Sequence, residues 1–432
     1  KISQEWLQDF VSLDRAVWTP TEVANVLTSL GLEVEGVEDT SATFRGFVVG
    51  RVLTREKHPK ADKLSVCTVD VGDGTPRTIV CGAPNVDAGQ TVPVALVGAK
   101  VRTADFTIEA RPLRGVTSEG MICSQSELGL GDDHNGIWVL DVDAAPGTPL
   151  AAALGIEDVV YDVAITPNRA DCLSHVGIAR ELAAKGAPPA PALTSPAAAV
   201  AVPTADAATV AVSVLDPDLC PHYIAQVVTN VRPVESPAWL QRRLKALGLR
   251  PRNVIVDVTN YINMELGQPL HAFDAAKIAG NAIVVRRARP DEQQFVTLDG
   301  KSRSLTPDML MICDADRPSA IAGVMGGQSS EVDDTTTSVV IESAYFDPTS
   351  VRRTAKVHGL STDASYRFER GVDPHGVRRA ADRAVQLLVA LAGGVAGPRV
   401  EVGGPPPERD PIPYSAERIR TLLGVDVADT TI

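Results

Sequence analysis

The sequence predicts a multidomain α+β protein, and three observations support that fold class. The chain has 432 residues, which at roughly 100 to 200 residues per domain is too long for one compact module. Short strand-like runs fill residues 44–125, whereas apolar residues at helical spacing lie mainly outside that segment. Residues 186–209 hold ten Ala, five Pro and one charge, which is linker composition. We therefore expect several folded units, separated by an Ala/Pro linker at 191–210.

The composition excludes several classes of protein. With 44% hydrophobic and 22% charged residues the chain is typical of globular proteins. Its net charge of −13 is the wrong sign for binding nucleic acid by overall charge, so any RNA site must be local. The six cysteines contain no CxxC pair, which predicts reduced thiols and no metal site. Without a signal segment or an 18-residue apolar run, we expect a cytoplasmic protein that does not contact membranes.

The first element is a helix. Thr19-Pro20-Thr21-Glu22 is a typical helix start, apolar residues follow at helical spacing, and Gly31 ends the pattern. A second helix is predicted from Leu173 to Lys185, after the turn-rich TPNRADC and before Gly186.

Between these helices lies a run of strands. The segments FVVGRVL, LSVCTVDV, RTIVC, TVPVALV and FTIEARPL are separated by Gly, Pro, Asn and Asp. Five or six strands in about 100 residues predict a small closed barrel, for which the OB-fold is one solution. Residues 45–125 carry 11 Lys/Arg and 8 Asp/Glu, a local charge of +3.

A mixed α and β region follows from about 211 to 396. IVVRRARP and SVVIES are predicted strands, and AADRAVQLLVALAG is a predicted helix. The Gly/Pro-rich GGVAGPRVEVGGPPPERDPIP is expected to close this region. The last residues begin a helix, and we expect them to be the cut-off start of a further domain.

Two segments are candidate RNA contacts. The loop from His58 to Leu64 presents His58, Lys60 and Lys63, which suit phosphate binding, although a solvated turn has the same composition. In WLQRRLKALGLRPRN, Arg242 and Arg243 belong to an amphipathic basic helix, for which a solvated surface is the alternative.

A third group of segments indicates a polar pocket. DVTNYINMELGQPLHAFD places Thr259, Asn260 and His271 among apolar residues, and buried polar groups need a partner in the protein or a ligand. GVMGG lacks the GK[ST] of a P-loop, so its glycines are expected to allow a close backbone approach. Glu342 shares a strand face with Val340, so its carboxylate is expected to face the core or a pocket. Arg367-Phe368-Glu369 resembles an ATP-binding signature of class II synthetases, but we favour an ion-pair network on a helix.

Taken in order, these segments resemble the N-terminal half of the bacterial phenylalanyl-tRNA synthetase β subunit. The resemblance rests on GLEVEGVE, TPNRADCLS, VDVTNYINMELGQPLHAFD, GVMGG, IESAYFDP and TDASYRFERGVDP. It implies an α+β multidomain fold in which an OB-fold tRNA-binding barrel, 41–150, is inserted into a small N-terminal α/β domain, 1–40 and 151–190. A mixed α/β B3/B4 editing domain would follow at 211–398, and residues 405–432 would begin a B5 domain.

The resemblance also implies site residues and partners. The family's editing pocket, which hydrolyses tyrosine wrongly attached to tRNA(Phe), would fall on seven residues: Thr259, Asn260, His271, Gly323, Glu342, Thr362 and Ala364. We expect His271 to orient or activate water and the backbone N–H groups near Gly323 to stabilise the oxyanion. The complete enzyme would use ATP and magnesium and join an α subunit in an (αβ)₂ heterotetramer. This chain alone is expected to bind neither cofactor and not to aminoacylate. The alternative is a non-catalytic tRNA-binding and assembly scaffold with an inactive pocket.

Overall fold

The computed structural model describes residues 1–14, 16–101, 103–190, 208–407 and 410–432. Most of the linker predicted at 191–210 lies outside the described residues.

The N-terminal unit is a small sheet with helices, and its strands come from both sides of the barrel. β1, β12 and β2 form one antiparallel sheet in the order β1-β12-β2, so residues near 2, 36 and 161 share a layer. The helix predicted at the start is confirmed: Thr19 caps α2 by accepting the Glu22 N–H at 3.2 Å. The elements of this unit are β1 Ile2–Ser3, α1 Gln4–Leu7, α2 Pro20–Ser29, β2 Glu33–Asp39, α3 Thr40–Thr43, and, after the barrel, β12 Val159–Ala164, a 3-10 turn Ala170–Cys172 and α6 His175–Ala184.

The barrel segment contains the predicted strands with one change. FTIEARPL is not a single strand, because the chain leaves the ladder after Thr107 to bury Ile108, and its two ends pair with different neighbours. The elements are β3 Phe47–Lys57, β4 Ser65–Asp70, β5 Arg77–Cys81, β6 Thr91–Leu96, β7 Lys100–Val101, β8 Phe106–Thr107, β9 Arg111–Leu113, β10 Val116–Ser118, β11 Gly120–Ile122, α4 Gln125–Leu128 and α5 Leu150–Ala153.

The barrel sheet nearly closes on itself. Five strands pair in the order β11-β6-β3-β4-β5. The two ends of this sheet are joined by hydrogen bonds: Val80 N–H donates to Ser118 Oγ at 3.0 Å, and Glu119 N–H donates to Thr78 O at 2.8 Å. Gly120 lets β11 lie close to its neighbour β6, since a Cβ there would lie 2.9 Å from the carbonyl oxygen of Ala95.

The C-terminal region is built on two sheets. One is antiparallel, in the order β15-β22-β14-β23, and the other has the order β13-β16-β19-β20-β21. Its elements are β13 Ala211–Val214, β14 His222–Thr229, α7 Ala238–Ala246, α8 Val254–Leu266, β15 Leu270–Asp274, 3-10 turns Ala275–Lys277 and Ala279–Asn281, β16 Ala282–Arg287, β17 Gln294–Val296, β18 Ser302–Ser304, β19 Leu310–Cys313, β20 Pro318–Ile321, β21 Met325–Gly326, a 3-10 turn Gln328–Ser330, β22 Ser338–Tyr345, α9 Pro348–His358, α10 Asp363–Phe368, α11 Gly376–Ala392, β23 Val395–Gly403 and α12 Ala416–Leu423.

Alternation along β22 gives the first sheet two different faces. Val339 and Ile341 pack with helices α8 and α11, whereas Val340 and Ala344 pack toward the second sheet. The Gly/Pro-rich stretch that closes this region contains a strand. Residues 395–403 form β23 and pair with β14, so the sheet continues beyond the expected boundary at 398.

A stack of rings joins the N-terminal unit to the C-terminal region. The Trp6 ring lies between His175 and Tyr261, with centroid distances of 4.1 and 4.4 Å. His175 accepts the Ser3 N–H at 3.1 Å through Nε2, so its Nδ1 carries the proton that bonds Met264 O at 2.8 Å. Burial lowers the pKa of His175 to about 3, which keeps this ring neutral. Helix α8 is therefore fixed against the N-terminal unit.

Arg367 makes a second connection between the same parts. Its Nε donates to Leu173 O at 3.3 Å, and its Nη1 pairs with Asp363 at 3.2 Å, one helical turn away. The predicted ion pair on this helix is therefore present, and it ties the start of α10 to the N-terminal unit.

Trp6→Ala is expected to destabilise the chain by roughly 3 to 5 kcal/mol, because a fully buried indole leaves a large cavity. Val17→Ala serves as the control, since Val17 is 65% exposed and should change stability by less than about 0.5 kcal/mol. Chemical denaturation of both variants measures the difference. Equal stability of the two variants would show that the ring stack does not hold the units together.

Candidate active site

A cavity of about 240 Å³ lies beside β15, the edge strand of the antiparallel sheet. Helix α8, residues 320–326, strand β22 and the start of α10 form its walls. All seven residues predicted for the pocket line this one cavity: Thr259, Asn260, His271, Gly323, Glu342, Thr362 and Ala364. Segments more than 100 residues apart in the chain are thus brought together here.

Glu342 presents a buried carboxylate to the cavity wall. It is 7% exposed, and its Oε2 accepts the hydroxyl of Tyr223 at 2.6 Å. Among the described residues no Lys or Arg forms an ion pair with it, and Tyr223 is its one hydrogen-bond donor. Burial raises the pKa of Glu342 to about 7, and the Tyr223 hydrogen bond opposes that rise. Oε1 is left to accept a hydrogen bond from a ligand.

His271 lies directly opposite Glu342 in the sheet register. Its ring meets Phe273 edge-on at 4.4 Å between centroids, and its buried Nε2 has no partner in the described part of the chain. Gly326 is required beside it, since a Cβ there would lie 2.4 Å from His271 Cε1. Burial lowers the pKa of His271 to about 4, so the imidazole is neutral at physiological pH.

The two threonine hydroxyls of the cavity are committed to structure. Thr259 Oγ1 donates to Val256 O at 2.7 Å within α8. Thr362 caps α10 by accepting the Ser365 N–H at 3.0 Å, and it donates to Val324 O at 2.8 Å. Neither hydroxyl is free to act as a nucleophile. Gly323 has φ +67, and its N–H has no acceptor within the described ranges, so it can donate to a ligand.

Asn263 is a cavity residue that the sequence analysis did not assign to the site. It is 5% exposed, lines the cavity, and its Oδ1 has no hydrogen-bond partner among the described residues. The signal was present, because Asn263 lies three and four residues after Asn260 and Thr259 on one helix face. A buried amide without a partner is costly unless a ligand satisfies it.

The structure corrects the assignment of His58 as a tRNA contact. His58 is 3% exposed, and both ring nitrogens are used: Nδ1 accepts the Lys60 N–H at 3.1 Å and Nε2 bonds Leu113 O at 3.1 Å. It therefore fixes its own turn. Lys60 and Lys63 on the same turn are exposed.

Arg243 is likewise not available for RNA. It pairs with Glu5 and Asp9 at 3.1 and 2.6 Å, and its guanidinium lies 5.4 Å from the centre of the Trp6 ring. These contacts anchor α7 to the N-terminal unit. Its neighbour Arg242 is exposed and stays a candidate.

One group of potential metal ligands occurs among the described residues: Asp171, Cys172 and Glu181. Arg169 already binds both carboxylates, at 2.8 and 2.7 Å, and burial raises the pKa of the Cys172 thiol to about 12. This group is thus an ion-pair network. All six cysteines are buried and unpaired, and no described helix has the length and apolar character needed to span a membrane.

Two family models match the chain. The B3/4 domain matches residues 219–393, which contain the whole cavity, and a tRNA binding domain matches residues 47–149, which contain the barrel. The chain therefore carries a tRNA-binding domain and a B3/4 domain in a mixed α+β arrangement.

The similar proteins reported below carry the same name, phenylalanine–tRNA ligase beta subunit. The phenylalanine–tRNA ligase beta subunit of Salinibacter ruber is 48% identical over 99% of this chain and 52% of its own length. That of Anaeromyxobacter dehalogenans is 49% identical over 91% of this chain and 48% of its own length. The chain thus spans about half the length of the relatives it matches. An N-terminal fragment of the phenylalanyl-tRNA synthetase beta subunit from Pyrococcus horikoshii is 15% identical, with a TM-score of 0.31, over 67% of this chain and 76% of that fragment.

Replacing Glu342 by Gln should stabilise the protein increasingly as pH rises. The folded pKa is about 7 and the ordinary value is 4.5, so ionisation costs stability progressively across that interval and fully above it. The gain should reach at most about 3 kcal/mol near pH 8 and vanish near pH 4. Denaturation of both proteins between pH 4 and 8 measures it. Tyr223→Phe should enlarge the pH dependence, and a pH-independent difference for Glu342→Gln would contradict the buried carboxylate.

Proposed function

Because this chain resembles about half of a phenylalanine–tRNA ligase beta subunit, we propose that its B3/4 cavity hydrolyses tRNA(Phe) mischarged with tyrosine. A synthetic site shaped for an apolar side chain rejects an analogue with an added hydroxyl only about 100-fold. Phenylalanine and tyrosine differ by one hydroxyl, so a second, hydrolytic site is needed to remove tyrosine. The observation that carries this proposal is the cavity with Glu342 in its wall.

The carboxylate of Glu342 is suited to recognise the phenol of tyrosine. Its Oε1 lacks a donor among the described residues, and tyrosine differs from phenylalanine by one hydroxyl that can donate. A phenyl ring in the same place would leave the carboxylate buried without that donor. The cavity would therefore hydrolyse the tyrosyl ester in preference to the phenylalanyl ester.

The chemistry is ester hydrolysis by water. Thr259 and Thr362 are committed to backbone carbonyls, and no Cys or Ser lines the described cavity. The N–H of Gly323 is the proposed oxyanion donor, because it has no other acceptor. His271, neutral and with Nε2 unpartnered, is proposed to orient the attacking water or take its proton.

The remaining parts fit a tRNA ligase subunit. We propose that the nearly closed barrel is an OB-fold, and that Lys60 and Lys63 on it, with Arg242 on α7, contact tRNA(Phe). In the complete cytoplasmic enzyme an α subunit would supply the ATP- and magnesium-dependent synthesis, within an (αβ)₂ heterotetramer. The second candidate function is a tRNA-binding scaffold with an inactive pocket, and the described anchoring of Thr259 and Thr362 is also compatible with it.

Glu342→Ala should lower the deacylation rate of Tyr-tRNA(Phe) by about 10- to 150-fold, which corresponds to losing a hydrogen bond of roughly 1.5 to 3 kcal/mol to a charged group. Deacylation of Phe-tRNA(Phe) should change less, so the Tyr-over-Phe preference narrows. Wild-type activity on Tyr-tRNA should also fall as pH drops below about 7, where Glu342 becomes protonated. Glu342→Gln should remove that transition.

Both deacylation rates and the melting temperature are measured for each variant. A destabilised Glu342→Ala protein that keeps the wild-type Tyr-to-Phe ratio would reject the recognition role. A wild-type chain that binds Tyr-tRNA(Phe) but does not deacylate it would favour the scaffold.

His271→Ala should slow Tyr-tRNA deacylation by about 10² or more if the imidazole takes a proton from water. Because the pKa of His271 is about 4, the rate should be flat between pH 5 and 8 as far as this group is concerned. The pH profile of the rate is measured in the Glu342→Gln background, so that titration of Glu342 does not contribute to it. An unchanged rate in His271→Ala would make His271 a packing residue.

A further inference from the structure

A second cavity, of about 260 Å³, lies where the N-terminal unit meets the B3/4 domain. The start of α6, the turn after α8 and the loop before α11 enclose it. Three glycines, Gly267, Gly371 and Gly376, line it and bring backbone to its surface. A ligand in this space would contact both parts of the molecule.

Two arginines line the cavity without ion-pair partners. Arg180 on α6 and Arg379 on α11 form no salt bridge or hydrogen bond with the described residues, although other arginines nearby do. Arg379 is half-buried, and burial together with the charge of Arg180 lowers its pKa. Arg180 is exposed, and its charge repels that of the half-buried Arg379 on the same cavity wall, so an anion bound between them would stabilise both.

The carboxylates that line the cavity form no ion pair with either arginine. Asp171 is bound by Arg169 at 2.8 Å, and Asp373 accepts the His375 N–H at 2.9 Å at the start of α11. The charges of Glu265 and Asp373 oppose the lowering of the pKa of Arg379, but no ion pair forms between them and Arg379, and the net direction stays lowered. Helix α11 has 17 residues, has no side-chain cap, and directs the positive end of its dipole here.

Gln268 provides an independent indication of a ligand. It is 3% exposed and lines this cavity, and its Nε2 donates to Ala344 O at 2.9 Å, which fixes the orientation of the amide. Its Oε1 has no hydrogen-bond partner among the described residues. An anion beside a hydroxyl donor, as in an RNA nucleotide, would satisfy both the arginines and this oxygen.

Neighbouring residues of the chain line the two cavities. Gln268 lines one and the next residue, Pro269, lines the other. On the facing wall Phe368 lines the first cavity and Gly371 the second, three residues later, which spans at most about 11 Å of chain. An ester placed beside Glu342 and His271 would therefore put the adjoining RNA backbone near Arg180 and Arg379.

We propose that this cavity binds a backbone phosphate of the mischarged tRNA, next to the 3′-terminal nucleotide whose ester occupies the B3/4 cavity. The proposal rests on the proposed editing function. Arg180 and Arg379 hold the phosphate, and Gln268 accepts a ribose hydroxyl. The site gives the hydrolytic cavity its selectivity for an RNA ester over a free amino-acid ester.

The test compares two substrates of the same chain: Tyr-tRNA(Phe) and tyrosine esterified to adenosine, which has no phosphate. Arg379→Gln and Arg180→Gln should each lower kcat/KM for Tyr-tRNA(Phe) by about tenfold or more, mainly through KM. The slope of log(kcat/KM) against log salt should become shallower by about one. Hydrolysis of tyrosyl-adenosine should stay at the wild-type rate.

Arg378→Gln is the matched control, since Arg378 precedes Arg379 on α11 but pairs with Glu401 at 2.8 Å away from the cavity. It should leave both substrates unaffected. A wild-type chain without deacylation activity would refute the editing function itself. Active wild type with unchanged Tyr-tRNA kinetics and salt slope in both arginine variants would refute only the phosphate site. If inorganic phosphate protects wild type but not Arg379→Gln from thermal unfolding while those kinetics stay unchanged, the site takes a free anion and the RNA assignment is overturned.

Discussion

The stack of Trp6 between His175 and Tyr261 is the constraint on which the site depends, because it fixes helix α8. One face of that helix is buried against the N-terminal unit, and the other supplies Thr259, Asn260 and Asn263 to the cavity. The cavity also needs the edge strand β15, whose position follows directly from the end of α8. A change at the stack would therefore displace three wall residues at once.

The cavity keeps polar groups unsatisfied where a folded protein normally avoids them. Asn263 Oδ1 and His271 Nε2 are buried without a hydrogen-bond partner in the described part of the chain. Each such group costs free energy that the surrounding packing must offset. Buried polar atoms without partners are expected where a polar ligand completes their hydrogen bonds. This arrangement is consistent with a cavity that recognises a single hydroxyl.

The sequence predicted elements well where the signal was local. The capped helix after Thr19 and the strand SVVIES both follow from nearby residues. It failed where partners distant in the chain decide: the Gly/Pro-rich run at 395–403 became a strand only because β14 offers it an edge. His58 and Arg243 were assigned to RNA from charge alone. In the structure they bind groups that are distant in the sequence: His58 bonds the Leu113 carbonyl, and Arg243 pairs with Glu5 and Asp9. The seven pocket residues were placed by resemblance, since no spacing rule brings Thr259 and Thr362 together.

The central claim is that the Glu342 carboxylate receives the phenol of a tyrosyl ester, and the direct measurement is the pKa of that carboxyl by carbon-13 NMR with bound analogues. Stable amides of tyrosine and of phenylalanine with 3′-amino-adenosine would serve as ligands. A hydrogen bond to the charged form lowers a pKa, so the tyrosyl analogue should bring it below about 7 whereas the phenylalanyl analogue should not. The same pKa with both analogues would contradict the account.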